Sequence, residues 1–430
     1  MKRYRIREQM NGIVEPPGKV WFWELEAGVI HADRCIQCGT CVAVCPSNSI
    51  GISEDTDLPE LVKMCTGCSL CWDFCPRGGL RYEALWPPST PVAEVTEHAG
   101  EPIATPVSLS VRSDSSDTYW KIAGAPPAEG LGAVLEQYAV RAAVKSDEVQ
   151  DGGAVTSLLS ALLAAGEIDG ALVSKPSDDP DEPWKGVATI ATTPVELAQA
   201  SGSFYNQTMA LAELDLSRYQ LGPTPRIAVV GTPCEIQGIR AMQARRWATG
   251  AHRIDAVVLT IALLCTKSFD YEGLMLQELR DKRSIDLDRV SKVDVIRGRM
   301  IVEYRDGEVA VDEPVRDFHG AALKGCDECA DFLGRSADIS VGSVGSMDGW
   351  TSVLVRTERG RLAFQRSRPK LDVRDLDDPA ALVRLDKLDK RIAFGSLQRE
   401  FDPDAPLFID YEEHLRNYEG TDRRPVLAKR

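Results

Sequence analysis

Twelve cysteines carry most of the chemistry in this sequence, and eight of them fall into two copies of one pattern. Cys35, Cys38, Cys41 and Cys45 stand as C-x2-C-x2-C-x3-C followed by Pro46, and Cys65, Cys68, Cys71 and Cys75, followed by Pro76, repeat it thirty residues later. Three closely spaced thiolates grip three iron corners of one cube, while the fourth, set apart before its proline, reaches the neighbouring cube. The expected ligand sets are Cys35, Cys38, Cys41 with Cys75, and Cys65, Cys68, Cys71 with Cys45. Zinc sites use two CxxC pairs or histidine partners, whereas here four cysteines crowd into eleven residues twice. Two 4Fe-4S clusters are the expectation. Gly39 and Gly67 supply the tight turns that let backbone amides approach them. His31, beside the first motif, reads as a surface residue.

Such clusters move single electrons and make no bonds, so another part of the chain or a partner must supply or consume them. Four cysteines remain: Cys234 in GTPCEIQGIR, Cys265 in LLCTKSFD, and Cys326 with Cys329 in KGCDECADF. Four is the number a third cube needs, and Cys234 and Cys265 end two predicted parallel strands, where ligands collect in open α/β sheets. Spacing alone leaves open two small core residues and a CxxC that binds zinc or nothing.

The elements that must position these thiols fall into two units. Val20 to Trp23 reads as a short strand covering an edge of the cysteine-rich segment, which has the pattern of a bacterial-type ferredoxin fold. Residues 1–86 form that domain with its lead-in. Residues 87–118 are a Pro/Ser/Thr-rich linker, a composition that predicts independent folding on either side. Residues 119–375 alternate short apolar runs with helical patterns, the signature of a sheet with crossover helices. GALVS (170–174), RIAVVG (226–231) and AVVLTIALLC (256–265) read as buried strands, and 156–165 and 271–282 as helices. Between 291 and 312 the period changes to alternation with Asp306-Gly307 as a hairpin turn, an inserted antiparallel section. Residues 337–344 and 351–357 read as further strands, and 376–430 as a charged C-terminal extension with one helical stretch. The fold class is α/β, or α+β overall.

At 430 residues the chain has room for two or three domains. Sixty-five acidic against fifty basic residues give a net charge of -15, which works against nucleic acid as a partner. No apolar run is long enough to span a bilayer and the start lacks a signal-peptide core. The expected location is the cytoplasm, free or peripheral to a membrane complex.

The second unit resembles the beta subunits of coenzyme F₄₂₀ hydrogenases and dehydrogenases. The resemblance rests on DGGAVTSLLSALL (151–163), GSFYN (202–206), GTPCEIQGIR (231–240), LLCTKSF, GCDECADF, ADISVGSVG (337–345) and DGWTSVLVRTERG (348–360). With the two-cluster segment in front, the chain is similar to the input subunits of F₄₂₀H₂ dehydrogenases. The resemblance implies FAD, and a third 4Fe-4S cluster on Cys234, Cys265, Cys326 and Cys329. Candidate flavin contacts are Asp151, Gly152, Gly153, Thr156 and Ser157 at a helix start, Ser203, Tyr205 and Asn206 in the GSFYN loop, and Gly231, Thr232 and Pro233 before Cys234. One position departs: relatives commonly carry a basic residue where Phe204 stands.

Reduced F₄₂₀ gives up a hydride and each cube accepts one electron, so FAD is the expected converter between them. No side chain is needed as acid or base, so no catalytic residue is named. The phosphate and carboxylate of the F₄₂₀ tail call for cations, with Lys175, Lys267, Arg297 and Lys324 as candidates. The expected partner is a protein electron acceptor or donor within a larger redox complex. Two other classes fit the same motifs: a ferredoxin-dependent flavoprotein reductase acting on an organic substrate, and a non-catalytic electron-wiring subunit.

Overall fold

In the computed structural model, described over residues 20–80, 130–144, 152–244 and 251–397, the first described element is a helix where the sequence predicts a strand. Phe22, Leu25 and Val29 are buried at helical spacing, and the Trp21 amide donates to the Glu24 carboxylate at 2.8 Å, capping the turn Phe22–Leu25. Trp23, which a strand would bury or pair, points outward instead. Short helices Thr40–Val44 and Leu70–Asp73 then carry the third cysteine of each motif, Cys41 and Cys71. Between them strands β1 (Ile50–Ile52) and β2 (Pro59–Leu61) form an antiparallel hairpin.

The large unit is built on an eight-stranded mixed sheet. Its centre is parallel, as the apolar runs predict: β4 (Gly170–Pro176), β6 (Ile227–Gly231), β7 (Val257–Leu263) and β11 (Ile339–Gly342). Antiparallel strands flank it: β5 (Gly186–Ala191) on one side, and β12 (Thr351–Val355), β3 (Glu136–Ala142) and β13 (Leu371–Arg374) on the other. The inserted meander is a separate three-stranded sheet of β8 (Val290–Ile296), β9 (Arg299–Tyr304) and β10 (Val309–Pro314), with the β9–β10 turn at Asp306-Gly307.

Side chains alternate across the central strands and so feed two different layers. Ala171, Ala228, Leu259, Ile261 and Ile339 face the helices Ala154–Ala164 and Glu358–Ser367. Leu172, Ile227, Val229 and Val257 face the helix Pro233–Ala244, and the same apolar cluster continues into Phe22, Val44, Leu70, Trp72 and Phe74 of the ferredoxin segment. Both units therefore contribute to one apolar cluster. The predicted linker (87–118) and the extension beyond residue 397 lie outside the described residues. The nearer part of the extension is the helix Pro379–Ser396, held by a buried Arg335–Asp386–Lys390 network.

Backbone contact seals the junction. A methyl group on Gly238 would stand 2.1 Å from Thr40 Oγ1, and one on Gly325 would stand 2.1 Å from the Arg34 carbonyl, so only glycine admits the approach. Arg34 donates from Nε and Nη2 to the Glu328 carboxylate at 2.8 and 2.7 Å, with both side chains buried. Arg77 donates to the Gly325 carbonyl at 2.7 Å. Within the large unit, Arg240 and Asp338 approach to 3.1 Å, and Asp338 also accepts from the Thr260 amide, which ties the helix bearing Cys234 to the strand leading to Cys265.

Removing one partner of a buried ion pair leaves the other charge desolvated, at a cost of about 3–5 kcal/mol. Glu328→Gln should destabilise the anaerobically purified protein by that amount in a denaturant titration. A loss below about 1 kcal/mol would place the pair among contacts that matter little.

Candidate functional site

All twelve cysteines are free of disulfides. Burial pushes the Cys35, Cys75 and Cys329 thiols up to about 12, and drives Cys41, Cys71, Cys234 and Cys265 well above the ordinary thiol range. Thiols kept protonated by burial are poor nucleophiles.

Their neighbours sort them. After burial, the charges acting most on Cys41 are those of Cys35, Cys38 and Cys75, and those acting most on Cys71 are Cys65, Cys68 and Cys45. Cys45, Cys65, Cys68 and Cys71 also line one cavity with Val20 and Ile50. The fourth cysteine of each motif therefore lies with the other motif. On the large unit, Cys265 is influenced by Cys326 and Cys329, and Cys234 by Cys265. Among the described residues no three His, Cys, Asp or Glu side chains gather as they would around one ion.

Local structure explains the placement. Gly39 and Gly67 turn the backbone with φ of 74° and 65°. Amides already aim at sulfur: Gln37 to Cys35 Sγ at 3.4 Å, Gly67 to Cys65 Sγ at 3.3 Å and Ser49 to Cys45 Sγ at 3.2 Å. Cys234 follows the C-terminal end of β6 and Cys265 that of β7, and the Lys324–Glu328 turn returns the last pair beside them through a Leu323 amide to Ser268 carbonyl bond of 3.0 Å. Ile36, Cys38, Cys234 and Cys326 pack as one buried cluster, and Cys326 also influences Cys35. The third set thus abuts the first. The second lies further out, with Cys68 exposed.

The predicted flavin contacts share the C-terminal edge of the sheet with Cys234 and Cys265. Gly152 packs against the Val140 carbonyl and Thr351, and Gly153 opens the helix Ala154–Ala164. Thr156 and Ser157 in its first turn are half-buried, and Thr156 reaches Ser201 at 3.5 Å. Tyr205 donates its hydroxyl to Asp294 at 3.0 Å, and Asn206 braces Gly186 with two bonds of 2.9 Å, so both hold the loop in place. Phe204 packs on Gly186 and faces Trp184. Gly231, Thr232 and Pro233 lead into Cys234, with the Thr232 hydroxyl 3.1 Å from its sulfur. Ser203 lies in the same loop; Asp151 falls outside the described residues. The helix start and its hydroxyls fit the phosphate side of a dinucleotide.

Each candidate cation for a substrate tail has an acidic partner: Lys175 with Asp178, Lys267 with Asp327, Arg297 with Asp348, and Lys324 with Asp33. A large cavity opens near β5 and takes in Lys175 and Arg226, but none of the cysteines. Sequence reading missed Arg34, Arg77, Glu235 and Gln207. Glu235 is buried, which raises its carboxyl to about 7, and it accepts from the Thr232 amide at 2.7 Å; Gln207 reaches Thr232 Oγ1 at 3.1 Å. A signal existed for the arginines, which stand immediately before Cys35 and immediately after Pro76.

Comparison with known families now decides the lineage. Residues 137–215 and 224–379 match the N-terminal and C-terminal models of the coenzyme F₄₂₀ hydrogenase/dehydrogenase beta subunit, which together cover more than half of the chain. The chain belongs to that family. Residues 28–81 match a 4Fe-4S dicluster domain. Among similar proteins, a component of the F₄₂₀H₂ dehydrogenase of Methanosarcina mazei is 27 % identical over 82 % of this chain and 87 % of its own. The coenzyme F₄₂₀-dependent sulfite reductase of Methanocaldococcus jannaschii is 30 % identical over 79 % of this chain, which spans only 46 % of that protein. A chain of the F₄₂₀-reducing [NiFe] hydrogenase complex from Methanosarcina barkeri superposes with a TM-score of 0.57 at 27 % identity, covering 63 % of this chain and 92 % of that one. This family member is thus an F₄₂₀-related iron-sulfur oxidoreductase subunit with an electron-transfer segment. Among its described residues no helix is long and apolar enough to cross a membrane.

Crossed fourth ligands have a spectroscopic consequence. Cys75→Ser should alter the resonance signal of the cluster on Cys35, Cys38 and Cys41, and Cys45→Ser that of the other, in the dithionite-reduced protein. Loss of the same-motif signal in either variant contradicts the assignment.

Proposed function

We propose that this chain oxidises F₄₂₀H₂ with bound FAD and passes the electrons singly through three 4Fe-4S clusters to a protein partner. The observation that carries this is the abutment of Cys234 and Cys326 on Cys38 and Cys35, which joins the F₄₂₀-family unit to the ferredoxin segment through one buried contact. In this reading residues 1–86 are the two-cluster domain, 87–118 the linker, 119–375 the FAD unit and 376–430 an extension.

Cys35, Cys38, Cys41 and Cys75 hold one cluster, Cys65, Cys68, Cys71 and Cys45 a second, and Cys234, Cys265, Cys326 and Cys329 the third. Asp151, Gly152, Gly153, Thr156, Ser157, Ser203, Tyr205, Asn206, Gly231, Thr232 and Pro233 would hold the FAD. FAD supplies the conversion of a hydride into single electrons. The chain's own residues orient and space the groups and exclude water, and none acts as acid or base. A neighbouring protein within a larger complex takes the electrons, as the names of the relatives suggest.

Iron analysis of anaerobic protein should give about twelve irons per chain, and Cys329→Ser should lower it by about four. Mixing the FAD-loaded protein with F₄₂₀H₂ in an anaerobic stopped-flow should bleach the flavin. No bleaching, with reduction through an external ferredoxin instead, would favour the inward-running reductase; absence of flavin would favour the wiring role.

A further inference from the structure

An electron carried through these sets has to leave the chain, and the surface beside the outermost set is built unlike the rest. Four of the eleven large apolar side chains exposed among the described residues stand within residues 52–64: Ile52, Leu61, Val62 and Met64, the last 89 % exposed. Leu61, Val62 and Met64 run along the chain directly into Cys65. Scattered exposed apolar residues are ordinary, but Leu61, Val62 and Met64 stand together on one segment beside a thiol set, with Val62 on the hairpin face of Gly51 and Glu60, and such a run marks a contact surface.

The strip is held, not loose. The Val62 amide donates to the Ser49 carbonyl at 3.0 Å, and the Ser49 hydroxyl donates to the Met64 carbonyl at 2.8 Å. The Ser49 amide in turn donates to Cys45 Sγ at 3.2 Å, so the strip is fixed to one of the four thiols lining the outer cavity. Cys68 of that set is the one exposed cysteine of the twelve, whereas Cys38, Cys234 and Cys326 bury the opposite end. Glu54, Asp55 and Glu60 rim the strip with exposed carboxylates against one exposed cation, Lys63; Asp57 is taken by Lys185 at 2.8 Å.

We propose that this strip is the docking surface for the electron-carrier domain of the partner complex, a domain whose redox centre lies behind an apolar contact ringed by lysine and arginine. The proposal rests on the reading that Cys45, Cys65, Cys68 and Cys71 hold a cluster. One electron passes outward, oxidising the cluster and reducing the carrier's centre, with no bond made or broken. The apolar strip brings the two centres close, and the acidic rim steers a basic carrier and sets its orientation.

The test uses the full chain with its clusters, reduced by dithionite, desalted, and mixed in a stopped-flow with ferricytochrome c, a basic carrier with an exposed haem edge. Ferricyanide serves in parallel as a small acceptor that needs no docking. Val62→Ser with Met64→Ser, and separately Glu54→Lys with Glu60→Lys, should each lower the second-order rate constant for cytochrome c about tenfold, and the charge variant should also flatten its salt dependence. Val195→Ser, at a remote exposed apolar position, should leave it unchanged, and ferricyanide rates, iron content and resonance spectra should be those of the parent in every case.

Equal cytochrome c rate constants for the parent and both strip variants, at whatever speed, overturn the proposal. So does a parent that sediments as a dimer and becomes monomeric on Val62→Ser with Met64→Ser, since the strip would then be covered by a second copy. Because dithionite supplies the electrons, F₄₂₀H₂ oxidation plays no part in the outcome, and failure of that reading is seen separately in the flavin-bleaching experiment.

Discussion

The buried pair of Arg34 and Glu328 fixes where two differently built units meet, and the thiol geometry follows from it. Arg34 directly precedes the first motif cysteine and Glu328 lies between Cys326 and Cys329, so one bidentate contact sets the distance between two cysteine groups. Charges so far from water are tolerated only when fully partnered, and the planar fork of arginine supplies that pairing with a defined angle. Gly325 and Gly238 contribute by omission, since any side chain there would hold the units apart.

From that junction the large sheet acquires its role. Parallel strands aligned in one direction deliver their C-terminal ends to a single edge, which is why Cys234, Cys265 and the start of the helix Ala154–Ala164 share it despite long separations in sequence. The Arg240–Asp338 contact keeps two of these elements from sliding past each other. Electron transfer falls off steeply with distance, so a fold that fixes spacing does more for it than one that offers acids and bases.

Much of this is legible in the residues alone. The two cysteine motifs announce their chemistry because spacing that tight has few other uses, and the central strands are recognisable as apolar runs bounded by turn residues. The outer strands are harder: Glu136–Ala142 mixes charged and apolar residues and becomes a strand only by pairing on both sides with β12 and β13. Val20 to Trp23 misleads because aromatic and β-branched residues favour strands, while burial at positions 22, 25 and 29 selects a helix. Arg34 and Arg77 are marked only by their places beside Cys35 and Pro76, and Glu328 not at all, since a lone charge in sequence is far more often solvated than buried. Lys267, Arg297 and Lys324 illustrate the converse, for each finds a carboxylate nearby that sequence separation conceals, while Lys175 pairs with Asp178 three residues on.

The shared apolar core also bears on motion. Carrier domains that shuttle between two stations need a joint that opens cheaply, and an interface of modest size with few buried contacts provides one. Here Phe22, Val44 and Trp72 lie in the same apolar cluster as Ile227 and Ile236, and opening the junction would expose that cluster together with an ion pair. Among the described residues the ferredoxin segment is therefore held against the large unit by that buried cluster and ion pair, and not by a joint that opens cheaply.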